Sequence, residues 1–160
     1  MLVLAINPGS TSTKIAVFDE NQRRVVDKTI YHGAAETRAH DGILAQKEMR
    51  LRHVLDTLEE NGIAADSLSA VVGRGGIIKP IDSGTYIINE AMIRDLKSAS
   101  ALVHASALGG IIAYEIAQMY GLPAYVVDPV VVDEMDPCAK LSGIPGIERA
   151  VAVAVKILRP

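Results

Sequence analysis

Residues 2–19 restrict the fold of this chain more than any other stretch. Five apolar residues, Leu2-Val3-Leu4-Ala5-Ile6, lead into Asn7-Pro8-Gly9-Ser10-Thr11-Ser12-Thr13, and Lys14-Ile15-Ala16-Val17-Phe18 follows, closed by Asp19. Short apolar runs bounded by turn chemistry are strands rather than helices, so the chain opens with a β-hairpin. A plain hairpin needs only two turn residues; seven polar or turn-forming ones read as a binding loop. Gly9 lets the backbone approach a ligand closely, four hydroxyls can donate to anion oxygens, and Lys14 adds positive charge. The plainer alternative is a Ser/Thr-rich surface turn. The spacing matches neither a P-loop nor a Ser-x-x-Lys acyl-enzyme motif, since Thr11 stands three residues before Lys14.

The rest of the chain reads as alternating elements. A third strand over residues 24–31 completes an antiparallel meander, and residues 33–41 read as a polar loop. Leu51, Val54, Leu55 and Leu58 fall at helical spacing within residues 42–60, and Asn61-Gly62 supplies a left-handed cap. A fourth strand over 68–73 runs straight into Arg74-Gly75-Gly76. Residues 77–88 look extended, with a turn at 82–84. Asn89 caps a helix over 90–98, with Ile88 and Ile93 placed as a hydrophobic staple. A longer helix over 104–120 stops at Gly121 and Pro123, and a fifth strand over 124–127 ends in Asp128-Pro129. The tail over 147–158 fits both periods, and a helix is the preferred reading. The order predicts an α/β domain with a mixed five-stranded sheet, the meander plus parallel strands, and helices on its faces. Right-handed crossovers would set strands one, four and five side by side. Their following loops would then open at one edge, where open α/β sheets bind ligands.

Composition excludes several classes of function. With 16 basic and 19 acidic residues the net charge is −3, which invites neither nucleic acid nor a membrane surface. Aromatics make up 4% of the chain and Trp is absent, too few for a base-stacking platform. Cys138 is alone, so no disulfide framework is expected. The four histidines (His32, His40, His53 and His104) show no metal-ligand spacing. With no basic leader before the first strand and no apolar run near ~18 residues, a single cytoplasmic domain is expected.

Three further places carry candidate chemistry. Glycines around Arg74 leave its guanidinium accessible, and a bidentate fork suits a carboxylate or phosphoryl group; a surface Arg in a Gly turn is the alternative. Asp128 closes an apolar strand, where an acid binds Mg²⁺ through water or orients a nucleophile, or merely opens a turn. His104 contacts a ligand oxygen or satisfies a helix terminus. Asp133, Glu134 and Asp136 read as a solvated acidic turn.

Four segments taken together are similar to a known family. Residues 6–14, Gly73-Arg74-Gly75-Gly76, His104-Ala105-Ser106 and residues 125–135, from Tyr125 through Asp128-Pro129 to Met135, resemble the butyrate kinases of the acetokinase family, in the superfamily of acetate kinases, sugar kinases, Hsp70 and actin. The match extends from about residue 2 to residue 149. The resemblance implies a ribonuclease-H-like fold and reversible phosphoryl transfer from ATP to a short-chain carboxylate with Mg²⁺. By the same resemblance Asn7 would contact the phosphoryl group or its metal. Gly9, Ser10, Ser12 and Lys14 would complete the cradle, Arg74 would bind the carboxylate, and Asp128 would help place Mg²⁺. Gly75, Gly76 and His104 would border the substrate. Acetate kinases, by resemblance, carry two valines where this chain has Gly75-Gly76, so the expectation is room for butyrate or a branched analogue. The family is two-lobed, and this chain corresponds to its amino-terminal lobe. The partners implied are ATP, the carboxylate, and a carboxyl-terminal lobe or second chain. A phosphate- or carboxylate-binding domain without turnover, or a self-associating domain, are the alternatives.

Overall fold

Alternation along the first two strands decides which side of the sheet becomes the core. In β1 (Val3–Pro8) Leu4 and Ile6 point inward, and in β2 (Ser12–Phe18) Ile15 and Val17 do so, each 1% exposed or less. Side chains of successive strand residues face opposite ways, so Val3, Ala5 and Asn7 of β1, and Lys14, Ala16 and Phe18 of β2, share the other side. The computed structural model describes residues 1–79, 81–98, 105–132 and 134–145.

Six strands form one mixed sheet rather than the five expected. β3 (Arg24–Tyr31) completes the antiparallel meander, and β4 (Ala70–Gly73) and β6 (Ala124–Val127) run parallel to β1. The additional strand, β5 (Thr85–Ile87), pairs antiparallel with β6 and gives the order β3-β2-β1-β4-β6-β5. The prediction that the first, fourth and fifth expected strands lie adjacent and parallel therefore holds. β5 falls inside the stretch expected to be extended, but three residues with Thr85 and Ile87 exposed are too short a run to read as a strand.

The helices that contact the sheet gather on its inward face. α4 (Ala107–Tyr120) lies along β1, β4 and β6, and α2 (Lys47–Glu60) and α3 (Glu90–Ser98) pack against α4. Lys47 of α2 reaches Glu115 of α4, across a core of Val54, Leu58, Leu108, Ile112 and Ile116. Burying each of these aliphatic side chains stabilises the fold by roughly 1.5–3 kcal/mol relative to exposure. The Asn89 cap forms as expected, its Oδ1 accepting from Met92 N–H at 2.9 Å. Gly62 and Gly121 take φ +68 at the ends of α2 and α4, the left-handed closure that glycine permits.

One expected irregular stretch is helical, and a short helix follows the acidic turn. Ala34–Arg38 forms a short α1 where a loop was expected. In the acidic turn Asp136 caps α5 (Pro137–Lys140) by accepting from Cys138 N–H at 2.8 Å. The tail helix expected over residues 147–158 lies outside the described residues. On the other face the outward side chains of β1, β2 and β4 line an open groove.

Candidate functional site

The hairpin is tighter than its polar sequence suggests. Asn7 pairs with Lys14 and Pro8 with Thr13, so the strands run into the polar segment and the turn itself is Gly9-Ser10-Thr11. Gly9 N–H donates to Ser12 O at 2.7 Å and closes it. Pro8 has no N–H to offer a ladder, and β4 has already ended opposite Ile6. A Cβ at Gly9 would meet nothing nearer than Ser12 O at 3.5 Å. The fold itself does not require glycine there, and the missing Cβ leaves the turn backbone open to close approach.

Register then aligns three polar side chains. Lys14 lies opposite Asn7, and Arg74 follows Gly73, which lies opposite Ile6, with Arg74 N–H donating to Ile6 O at 2.9 Å. Neighbouring strands sit about 4.8 Å apart, so Lys14, Asn7 and Arg74 form a row roughly 10 Å long. All three are exposed on the outward face and line a groove of ≈ 490 Å³ floored by Ala16, Phe18 and Val72. Lys14 Nζ also lies 3.6 Å from Asp27, an exposed pair of the kind that contributes at most about 1 kcal/mol, so an anion can recruit it.

Asp128 stands at the same edge, beyond Val127. Its Oδ1 accepts from Gly84 N–H at 2.9 Å, and its own N–H donates to Gly84 O at 3.0 Å. This reciprocal clasp holds Asp128 at φ +41, a conformation sparsely populated outside glycine and concentrated at functional sites. His104, the remaining expected contact, lies outside the described residues.

Behind the hairpin is a residue the sequence reading passed over. Arg50 of α2 is fully buried and directs its guanidinium at the turn. It donates to Gly9 O at 2.9 Å, Ser12 O at 3.1 Å and Ser10 O at 3.2 Å, and also to Thr13 Oγ1 and Gln46 Oε1. With its carbonyls held inward, the turn leaves Ser10 and Thr11 exposed outside. Thr13, expected to offer its hydroxyl to an anion, is buried and bonded to Arg50 and, at 2.8 Å, to His32 Nε2. Three hydroxyls therefore remain for a ligand. Burial, with Arg50 and His53 nearby, pushes the His32 pKa down to about 4, so its ring is neutral at pH 7. The readable signal for Arg50 was its place on the helical stripe, four residues before Val54 and seven before Thr57.

Gly75 and Gly76 do not open space for an acyl tail. Both are buried, and a Cβ on Gly75 would lie 2.7 Å from Pro129 Cβ, one on Gly76 2.5 Å from Ala107 Cα. Their missing side chains are replaced by neighbouring chain, which removes the steric basis for reading them as determinants of acyl length. Gly76→Val is accordingly expected to lower stability by about 2 kcal/mol or more through overpacking. Chemical denaturation checks this, and a variant as stable as the parent would restore the open-pocket reading.

No family model matches the chain. Among solved structures, an acetate kinase from Porphyromonas gingivalis superposes with a TM-score of 0.61 and 13% identity, over 90% of this chain and 41% of its own. A propionate kinase from Francisella tularensis subsp. tularensis SCHU S4 gives 0.58 and 18%, over 91% and 41%. An acetate kinase from Entamoeba histolytica gives 0.56 and 20%, over 91% and 39%. At these identities the likeness shows the fold, which is ribonuclease-H-like as expected. The chain spans about two fifths of the length of these three structures.

Proposed function

We propose that this chain is the carboxylate- and phosphate-holding lobe of a carboxylate kinase, serving reversible phosphoryl transfer between ATP and a short-chain carboxylate. The observation that supports it is the Lys14–Asn7–Arg74 row, set by strand register at the carboxyl end of the parallel strands. The fold shared with acetate and propionate kinases is consistent with it. A carboxylate is already ionised at neutral pH, so attack on a phosphoryl group needs no general base. The protein's task is positioning and neutralisation of charge. Arg74 would hold the carboxylate through its fork, while Lys14, Asn7 and the turn's N–H and hydroxyl groups would receive phosphoryl oxygens.

Mg²⁺ fits the donor set in a limited way. Asn7 and Asp128 stand at one sheet edge two strands apart, roughly 10 Å between their backbones. Asp128 would hold the ion directly or through its waters, and Asn7 would serve the ion or the phosphoryl oxygens. When bound, the ion supplies neutralisation of the transferring group's charge. The adenosine of ATP would be held by a second lobe or a second chain.

Calorimetry with inorganic phosphate and with butyrate tests the binding half. Arg74→Ala is expected to abolish carboxylate binding, and Gly9→Ala to weaken phosphate at least tenfold while leaving the melting temperature unchanged. Equal affinities in wild type and Arg74→Ala would overturn the assignment. Hydroxamate trapping of acyl phosphate, with ATP, Mg²⁺ and a series from acetate to butyrate and isobutyrate, tests turnover. Butyrate is the expected substrate from the motif resemblance alone.

A further inference from the structure

Three residues, two of them four apart and the third on a separate helix, converge behind the hairpin. His32 stands just past β3, Glu36 on α1 and His53 on α2, and one ligand atom from each lies within 4.8 Å of the other two. Glu36 Oε2 is 3.9 Å from His32 Nδ1, and Glu36 Oε1 is 3.3 Å from His53 Nε2. The two rings stack with centroids 5.4 Å apart and planes 6° from parallel. The His32 side chain is 0% exposed, and both His32 Nδ1 and His53 Nδ1 are buried without a hydrogen-bond partner. An orphaned buried ring nitrogen is destabilising unless something occupies it. The His32 nitrogen, fully buried and facing a carboxylate beside a second imidazole, is the observation that calls for a ligand.

We propose that His32, Glu36 and His53 bind a divalent d-block cation of the Zn²⁺ class, with water completing a tetrahedron. Bonds of about 2.0–2.2 Å to nitrogen and oxygen place tetrahedral ligand atoms roughly 3.3 Å apart. The Glu36–His53 separation already matches that edge. The widest separation must close by roughly 1.5 Å, which rotation of the part-exposed Glu36 and His53 side chains supplies. Imidazole donors favour Zn²⁺ and its neighbours over Mg²⁺. His32 has the outer partner a ligating histidine ordinarily shows, because its Nε2 meets the Thr13 hydroxyl and leaves Nδ1 for the ion. The ion would join β3, α1 and α2 at the back of the turn, where His32 N–H also holds Thr11 O at 2.9 Å. This site stands on its own residues, whatever the opposite face of the sheet binds.

Tag-free protein titrated with Zn²⁺ against a chromophoric chelator is expected to take up one ion per chain. Glu36→Gln and His53→Ala, both at part-exposed positions, should each lower the affinity at least a hundredfold. Mg²⁺ in large excess should not compete. Co²⁺ in place of Zn²⁺ should give visible absorption of tetrahedral intensity, lost in both variants. Zn²⁺ should also raise the melting temperature of wild type and not of the variants. Absence of stoichiometric uptake by wild type, or uptake unchanged in both variants, would overturn the site.

Discussion

Arg50→Met is expected to be among the most damaging single substitutions in this chain, lowering stability by about 4 kcal/mol and the melting temperature by roughly 10 °C. Methionine keeps the unbranched stem out to about the Nε position, so the effect isolates the guanidinium. Its removal leaves Gln46 Oε1 buried without its donor, at about 1–3 kcal/mol, and leaves Thr13 Oγ1 with His32 Nε2 as its one remaining partner among those described. The carbonyls of Gly9, Ser10 and Ser12 lose the group that turns them inward. Arg50→Lys should recover only part of this, because an ammonium is a point donor and cannot span three carbonyls from one fork. Phosphate affinity should fall even at temperatures where the variant remains folded, since the turn's outward groups are arranged from behind. Urea denaturation and calorimetry on the same samples provide the check. A melting temperature within about 2 °C of the parent would show that water replaces the guanidinium and that the turn holds its own shape.

The second large effect is expected where α4 crosses β4. Gly73 and Gly109 face one another so closely that a Cβ on Gly73 would lie 2.2 Å from Gly109 O, and one on Gly109 would lie 2.3 Å from Arg74 O. Backbone blocks each position, so no rotamer relieves the overlap and α4 must move off the sheet. Gly109→Ala is expected to cost about 3 kcal/mol despite the better helix propensity of alanine, at the upper end for overpacking. It should also displace Arg74 and weaken carboxylate binding. The adjacent Gly110 is the control. A methyl there crowds Leu96 Cδ1 at 2.9 Å, the far end of a flexible side chain, and meets Val126 and Ile88 at ordinary contact distance; it gains roughly 0.5–1 kcal/mol of helix propensity. Gly110→Ala should therefore stay within about 1 kcal/mol of wild type. If the two alanine variants prove equally stable, close approach is not what glycine provides at position 109.

What could be read in advance follows the range of the interactions involved. β3, α3 and β6 were legible to the residue, because the turn before residue 24, the Asn89 cap and the Gly-x-Pro stop are local signals. The common edge of β1, β4 and β6 followed from crossover handedness, and with it the meeting of Arg74 and the hairpin. β5 was not legible as a strand, since its existence depends on β6 being next to it. Arg50 and the His32–Glu36–His53 cluster were hidden for a related reason. Their partners lie far away in sequence, and a buried cation on a helical stripe looks locally like an error of pattern. Gly75 and Gly76 misled in the opposite direction: a missing side chain suggests room, but the fold had filled it with Pro129 and Ala107.

Because the polar row comes from paired strands, it is sensitive to length changes in one place and indifferent to them elsewhere. A residue added to the connection between β4 and β5 leaves Lys14, Asn7 and Arg74 where they are. A residue added within β1, between Val3 and Asn7, turns the Asn7 amide toward α4 and puts an aliphatic neighbour into the groove. Descendants of this chain can thus vary freely in their connections, whereas an insertion or deletion of one codon in the first strand should be lethal to binding and two codons tolerable.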